Sequence, residues 1–221
     1  MVENEVQVLA DYCRLKLDLQ NTILAEEYGY TSLPLCIIDT IFSINANYTT
    51  TRNTVNRFVS YFKLTSPLSI SDFIALYQEN SLEFMAEKIY QNRQRTSTRN
   101  GILKAEASLK VAQVLLNHGV NDLDGITAII NNPAFEVDFK GITGQGSGVS
   151  LRYFYMLVGL DSEIKPDRMI IRFIEAALSR PVKMEECHPL LTATCQLLKA
   201  DYPNLSPRLL DNLIWQFQRQ Q

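Results

Sequence analysis

Lys140 to Phe154 reads Lys-Gly-Ile-Thr-Gly-Gln-Gly-Ser-Gly-Val-Ser-Leu-Arg-Tyr-Phe, and Ile164-Lys-Pro-Asp-Arg168 follows shortly after. Four glycines (Gly141, Gly144, Gly146, Gly148) fall within eight residues, directly before an apolar run at helical spacing (Val149, Tyr153, Met156, Leu157, Leu160). Glycine permits positive φ and close backbone approach, so Gly144-Gln145-Gly146 predicts a tight hairpin opening onto a helix N-terminus. A helix start with unpaired N–H groups and no bulky side chains is a natural seat for a phosphate. A second helix is expected to begin at Pro166, with Asp167 beside it in the positive end of the helix dipole. A lone Gly-x-Gly usually marks a turn, and Pro-Asp usually only starts a helix. Their order and spacing, a phosphate seat and a fixed anion one short helix apart, suggest chemistry on a nucleic-acid backbone.

The elements that must position these residues read as helices nearly throughout. Apolar periodicity and capping residues predict a first helix from Val6 to near Gly29 and others over 34–44, 51–62, 69–77, 81–92, 102–116, 122–130, 147–159, 166–178, 189–200 and 207–218. No strand, repeat or low-complexity linker stands out, and the polar run 92–100 reads as a basic loop. The chain is expected to be all-α, with roughly ten to twelve helices.

Composition narrows the field. At 221 residues, 46% hydrophobic and 20% charged, the chain has the make-up of a globular protein with a substantial core. No apolar stretch approaches a membrane span, and Met1-Val-Glu-Asn-Glu-Val lacks the features of a secretion signal, so a cytoplasmic protein with no membrane partner is expected. Cys13, Cys36, Cys187 and Cys195 are scattered and fit reduced, mostly buried thiols. Cys187-His188 with Cys195 lacks a fourth ligand and CxxC spacing, so no metal is expected. The net charge of −3 argues weakly against nucleic acid. Its distribution argues the other way: Arg93, Arg95, Arg99, Lys104 and Lys110 cluster, as do Lys165, Arg168, Arg172, Arg180 and Lys183.

Three segments resemble the helix-hairpin-helix DNA glycosylase superfamily over roughly residues 30–175. Leu35-Cys-Ile-Ile-Asp-Thr-Ile-Phe-Ser-Ile-Asn-Ala-Asn-Tyr48 is similar to the family's early helix with its apolar-apolar-Ser-x-Gln ending, Asn45 standing where glutamine is common. Arg99-Asn-Gly-Ile-Leu-Lys-Ala105 is similar to the Gly-x-x-x-x-Lys-Ala helix start, two residues shorter. Ile142-Thr-Gly-Gln-Gly-Ser-Gly-Val-Ser150 matches the hairpin's apolar-x-Gly-x-Gly pattern, and Asp167 falls where the family places its catalytic aspartate.

The resemblance implies two helical lobes with a cleft between them, 30–160 forming one and 1–29 plus 161–221 the other. It implies a monomer that binds double-stranded DNA, flips a base out of the stack and cleaves its glycosidic bond, with Asp167 stabilising the oxocarbenium-like transition state and positioning water. Gly144, Gln145, Gly146, Ser147 and Gly148 would hold a phosphate, with a monovalent cation as the one cofactor in view. Asn45, Asn47 and Tyr48 would fill the gap left by the flipped base, and Arg168 would touch the backbone. Bifunctional members carry a lysine nucleophile near the position of Gly148, so a monofunctional enzyme without strand cleavage is implied. The four-cysteine iron–sulfur cluster of several members is expected to be absent. Two rival readings remain: a non-catalytic DNA-binding module that kept the hairpin, and an all-α interaction scaffold.

Overall fold

The computed structural model describes residues 2–20 and 29–221. Its α-helices are α1 (Val2–Lys16), α2 (Leu33–Phe42), α3 (Tyr48–Phe62), α4 (Ile70–Glu79), α5 (Leu82–Phe84), α6 (Lys104–Asn117), α7 (Pro133–Gly141), α8 (Val149–Leu157), α9 (Arg168–Leu178), α10 (Met184–Leu198) and α11 (Pro207–Gln218). A π-helical turn, Met85–Ile89, continues α5, and a 3-10 turn spans Asp124–Ala128. Among the described residues the one β pairing is an isolated bridge between Arg95 and Leu103, so the protein is all-α. No described helix is long and apolar enough to cross a membrane.

The chain divides into two compact units, Gly29–Val158 and Met1–Tyr28 with Gly159–Gln221. In the first, α2 is apolar except at Asp39 and Thr40 and buried at nine of its ten residues, packing against α3, α6 and α8. A helix so nearly hydrophobic on every face belongs inside a core. Aromatic side chains fill the space beside it: Phe42 lies 4.8 Å from Tyr90, and Phe58 5.6 Å from Phe73. The buried Tyr77 and Tyr90 hydroxyls meet at 2.7 Å, and Tyr77 also donates to the Ala105 carbonyl.

Lys104, the first residue of α6, is buried at 1% exposure. Its ammonium donates to Phe42 O (3.0 Å), Ile44 O (2.6 Å) and Gln94 Oε1 (2.8 Å). One charge thereby satisfies carbonyls orphaned at the end of α2 and ties the 43–47 turn to the basic loop, as a buried charge requires. Lys104→Met should lower unfolding free energy by about 3 kcal/mol in urea denaturation, because the buried Phe42 carbonyl and the part-buried Ile44 and Gln94 acceptors lose a charged donor together. A loss below ~1 kcal/mol would mean that water replaces the ammonium at no cost.

In the second unit, Leu9, Cys13, Phe173, Ile174, Leu191 and Ile214 lie in one apolar core. α1 and α9 pack on α10, and α11 packs on α9. Arg180 bonds Glu5 and Glu186 and so ties α1 to the start of α10.

Several boundaries differ from the sequence expectation. The first helix ends at Lys16, and Ile23 and Leu24, expected within it, lie outside the described residues. α10 starts at Met184 and carries Pro189 inside it rather than at its head. Glu186 accepts the Lys183 N–H (2.8 Å), a capping contact that starts the helix one turn before the proline. α9 begins at Arg168, so Asp167 is its N-cap and Pro166 precedes the helix. α7 had no counterpart in the sequence reading.

Candidate functional site

α7 and α8 flank the glycine-rich segment. Asn132 caps α7 by accepting from the Ala134 and Phe135 amides, and Pro133 takes the first turn, where its missing N–H costs nothing. Phe139 of α7 lies 6.2 Å from Phe154 of α8, and Phe135 6.4 Å from Tyr155. Between the helices the Gln145 N–H donates to Ile142 O (2.9 Å) and the Gly148 N–H to Gln145 O (3.0 Å). Gly144 and Gly148 hold φ of +90° and +75°, conformations that favour glycine.

The hairpin residues separate into two groups. Gly144, Gly146 and Ser147 are exposed, and the amides of Gly146 and Ser147 donate to no acceptor among the described residues. They stand at the N-terminus of α8 and can receive an anion. Gln145 and Gly148 are buried. Gln145, expected to touch DNA, instead turns its side chain inward, where the Ser150 hydroxyl donates to its Oε1. Its Nε2 is buried without a partner, as is Thr96 Oγ1. The side chain of the central hairpin residue thus lies buried beside Ser150 in the first turn of α8.

The basic loop sits directly on this hairpin. A Cβ placed on Gly144 would lie 2.4 Å from Thr96 Cβ, so the 92–103 loop and the hairpin backbone are in close contact. Arg99 is exposed, Arg95 donates to Gly101 O (2.7 Å), and Arg93 is paired with Glu87. Lys140 is exposed, bonds Glu136 (2.8 Å), and passes 3.2 Å from a Cβ built on Gly148. Lys140 therefore lies beside the hairpin, and the loop bearing Arg95 and Arg99 rests on it at Thr96.

Asn45 and Asn47 are exposed and Tyr48 half-buried in the turn that Lys104 fixes. Asn45 holds φ +49°, Asn47 caps α3 through the Thr50 amide (2.8 Å), and the Tyr48 hydroxyl accepts from Arg52 (2.9 Å).

In the other unit, Asp167 Oδ1 accepts from the Met169 (2.8 Å) and Ile170 (3.3 Å) amides, which leaves Oδ2 outside the cap. Arg168 is exposed at the first helical position, where a cation opposes the helix dipole and adds nothing to helix stability. Near Asp167 lies a carboxyl group that the sequence reading missed. Asp211 of α11 is buried and accepts from the Lys165 amide (2.9 Å). Burial pushes its pKa up to about 8; the Asp167 charge adds to the rise, and the Lys165 amide opposes it. The folded state thus keeps a proton that the unfolded chain releases near pH 4. Stability should fall as pH rises from about 4 to about 8, by at most ~1.4 kcal/mol per unit, and level off above. Asp211→Asn retains an acceptor for Lys165 without the charge. Urea midpoints measured from pH 5 to 8.5 should show a flatter profile and a more stable variant at the alkaline end.

Cys187, His188 and Cys195 do not converge. The thiols donate to Lys183 O and Leu205 O, and the imidazole lies 3.2 Å from Ser162 O. All four cysteines are buried thiols, none of them in a disulfide.

Residues 7–219 match a family described as a domain of unknown function, DUF8548, and the chain belongs to that family. No curated protein and no solved structure matches the chain.

Proposed function

We propose that the protein is a monofunctional DNA glycosylase, which hydrolyses the N-glycosidic bond of a flipped base in duplex DNA and leaves an abasic site. The observation that carries this reading is the hairpin between α7 and α8. It offers two unpaired, exposed amides at a helix N-terminus, beside Lys140 and the loop bearing Arg95 and Arg99. Such a seat takes a backbone phosphate. Asp167 supplies the negative charge: departure of the base leaves positive charge on the deoxyribose, which a fixed carboxylate stabilises while orienting the attacking water. Its uncommitted Oδ2 and the exposed Arg168 beside it support that role. The turn bearing Asn45, Asn47 and Tyr48 fills the gap in the stack. Base excision repair and defence against modified foreign DNA both use this chemistry.

The test is base release from duplexes carrying alkylated, oxidised, deaminated and hypermodified bases, with abasic sites revealed by alkaline cleavage. Release from any of them supports the reading. A second reading, a DNA-binding module without chemistry, is favoured by one observation: both cap bonds already give Asp167 a structural use. It predicts salt-sensitive duplex binding and no release from any substrate.

A further inference from the structure

The segment that brings Asp167 to the head of α9 is held by α10 and α11 along its length. The Arg208 N–H, in the first turn of α11, donates to Asp161 O (3.1 Å), and the His188 imidazole of α10 lies 3.2 Å from Ser162 O. The Ile164 side chain is buried in the core of this unit. Further along α11, Asp211 Oδ2 accepts the Lys165 N–H (2.9 Å). The Asp167 N–H in turn donates to Lys165 O (2.6 Å), which closes a three-residue turn around Pro166. All of these residues belong to the unit formed by Met1–Tyr28 with Gly159–Gln221.

This turn is short and stiff. Proline fixes one of its backbone angles, and the bond across it leaves no further residue to absorb a shift. A displacement at Lys165 therefore passes on to Asp167. Asp211 grips the Lys165 end with a side chain that is only 6% exposed, where a backbone N–H deprived of its acceptor is costly. Burial pushes the Asp211 pKa up to about 8, so at about pH 6.5 the acceptor is a neutral carboxyl. It then works as a hydrogen-bond acceptor rather than as a charge, a part that asparagine can copy.

We propose that Asp211 is a positioning residue for Asp167: through the Lys165 N–H and the Pro166 turn, it sets where the Asp167 carboxylate stands against the sugar of a bound nucleotide. The task of Asp167 rests on the glycosylase reading, while the link from Asp211 to Asp167 rests on the two hydrogen bonds at Lys165. Asp211 itself touches no reacting atom. Misplacing a reacting group by about 1 Å can cost on the order of 10²-fold in rate, so a side chain one turn removed from the chemistry can matter to it.

The full-length protein should be titrated, at about pH 6.5 where Asp211 is neutral, with two DNA duplexes that differ in one nucleotide. One carries an azadeoxyribose, whose protonated ring nitrogen replaces C1′; the other carries tetrahydrofuran, a neutral abasic sugar of similar shape. Neither holds a base at that position, so the identity of the excised base does not enter. The parent should bind the cationic duplex about tenfold or more tightly than the neutral one, because that charge imitates the transition state. Asp167→Asn should remove the preference. Asp211→Leu and Asp211→Ala, which take the acceptor from the Lys165 N–H, should each bring the ratio towards one with tetrahydrofuran binding unchanged. Asp211→Asn should restore it. Leu191→Val trims the same core on α10 and should leave the ratio at the parent value, as any purely structural loss would. A parental ratio in the Asp211→Leu and Asp211→Ala proteins, an equal fall in Asp211→Asn or Leu191→Val, or failure of both Asp211 truncations to fold would overturn the proposal and leave the glycosylase reading standing. A parent that binds the two duplexes equally, or binds neither, would overturn that reading and the proposal with it.

Discussion

Asp167→Asn should reduce base release by roughly 10²–10³-fold or more and leave the fold intact. Asparagine caps helices about as well as aspartate. Its Oδ1 can still accept from the Met169 and Ile170 amides at the distances the carboxylate now holds, so α9 should start where it does in the parent. The negative charge is what disappears, and with it the stabilisation of positive charge at the sugar that the proposed mechanism assigns to it. The neighbour Asp211 gains in the same step, because one source of its raised pKa is removed. A melting temperature within a few degrees of the parent's, together with lost activity, would mark Asp167 as catalytic and separate that role from capping. Unchanged release would leave the carboxylate a cap and move the chemistry elsewhere. Asp167→Ala is the informative companion: it loses cap and charge together, at about 1 kcal/mol of stability for the cap.

Helix periodicity made most of this fold legible. α11 starts at 207 as expected, and the Ser206 hydroxyl before it accepts the Leu209 amide as an N-cap. α7 escaped because its buried apolar positions, Phe135 and Phe139, are only two, set among Glu136, Asp138 and Lys140, too few for a periodic signal. α10 was placed a turn late because proline is a stronger local cue than a glutamate reaching back to a backbone amide. The hairpin was legible from its glycines, whose positive φ at Gly144 and Gly148 follows from residue type. The inward turn of Gln145 was not, since its partner Ser150 and its burial come from packing. Asp39 left a signal, one charge in an otherwise apolar helix, that reads equally as an isolated exception. Its meaning depends on Tyr153, 114 residues away in sequence, whose hydroxyl donates to Asp39 Oδ1. Asp211 is the same case: an acid within an amphipathic helix has its pKa raised chiefly by a burial that only the packing reveals, with the Asp167 charge adding to it.

The close approach of the hairpin and the basic loop bears the largest stability prediction. Gly144 combines φ of +90° with Thr96 so close that an added Cβ would lie 2.4 Å from Thr96 Cβ and 2.5 Å from its Oγ1. Gly144→Ala therefore carries two costs, roughly 1–2 kcal/mol for the left-handed backbone and about 1–3 kcal/mol for overpacking. The overlap cannot be relieved by rotating a flexible tip, because Thr96 is buried at 3% exposure and its backbone is bridged to Ile102. Chemical denaturation should show a total loss of about 2–5 kcal/mol. Thr96→Gly removes the colliding atoms, so the double variant should recover the overpacking share and keep the backbone share, giving a coupling of at least about 1 kcal/mol in the mutant cycle. Additive losses would mean that the loop does not rest on the hairpin. Where the loop is pushed away from the hairpin in the single variant, Arg95 and Arg99 move with it. The salt dependence of duplex binding should then become shallower, in proportion to the number of phosphates no longer neutralised. A uniform drop in affinity with an unchanged salt slope would instead assign the loop a purely structural part, and the cationic flank of the hairpin would rest on Lys140.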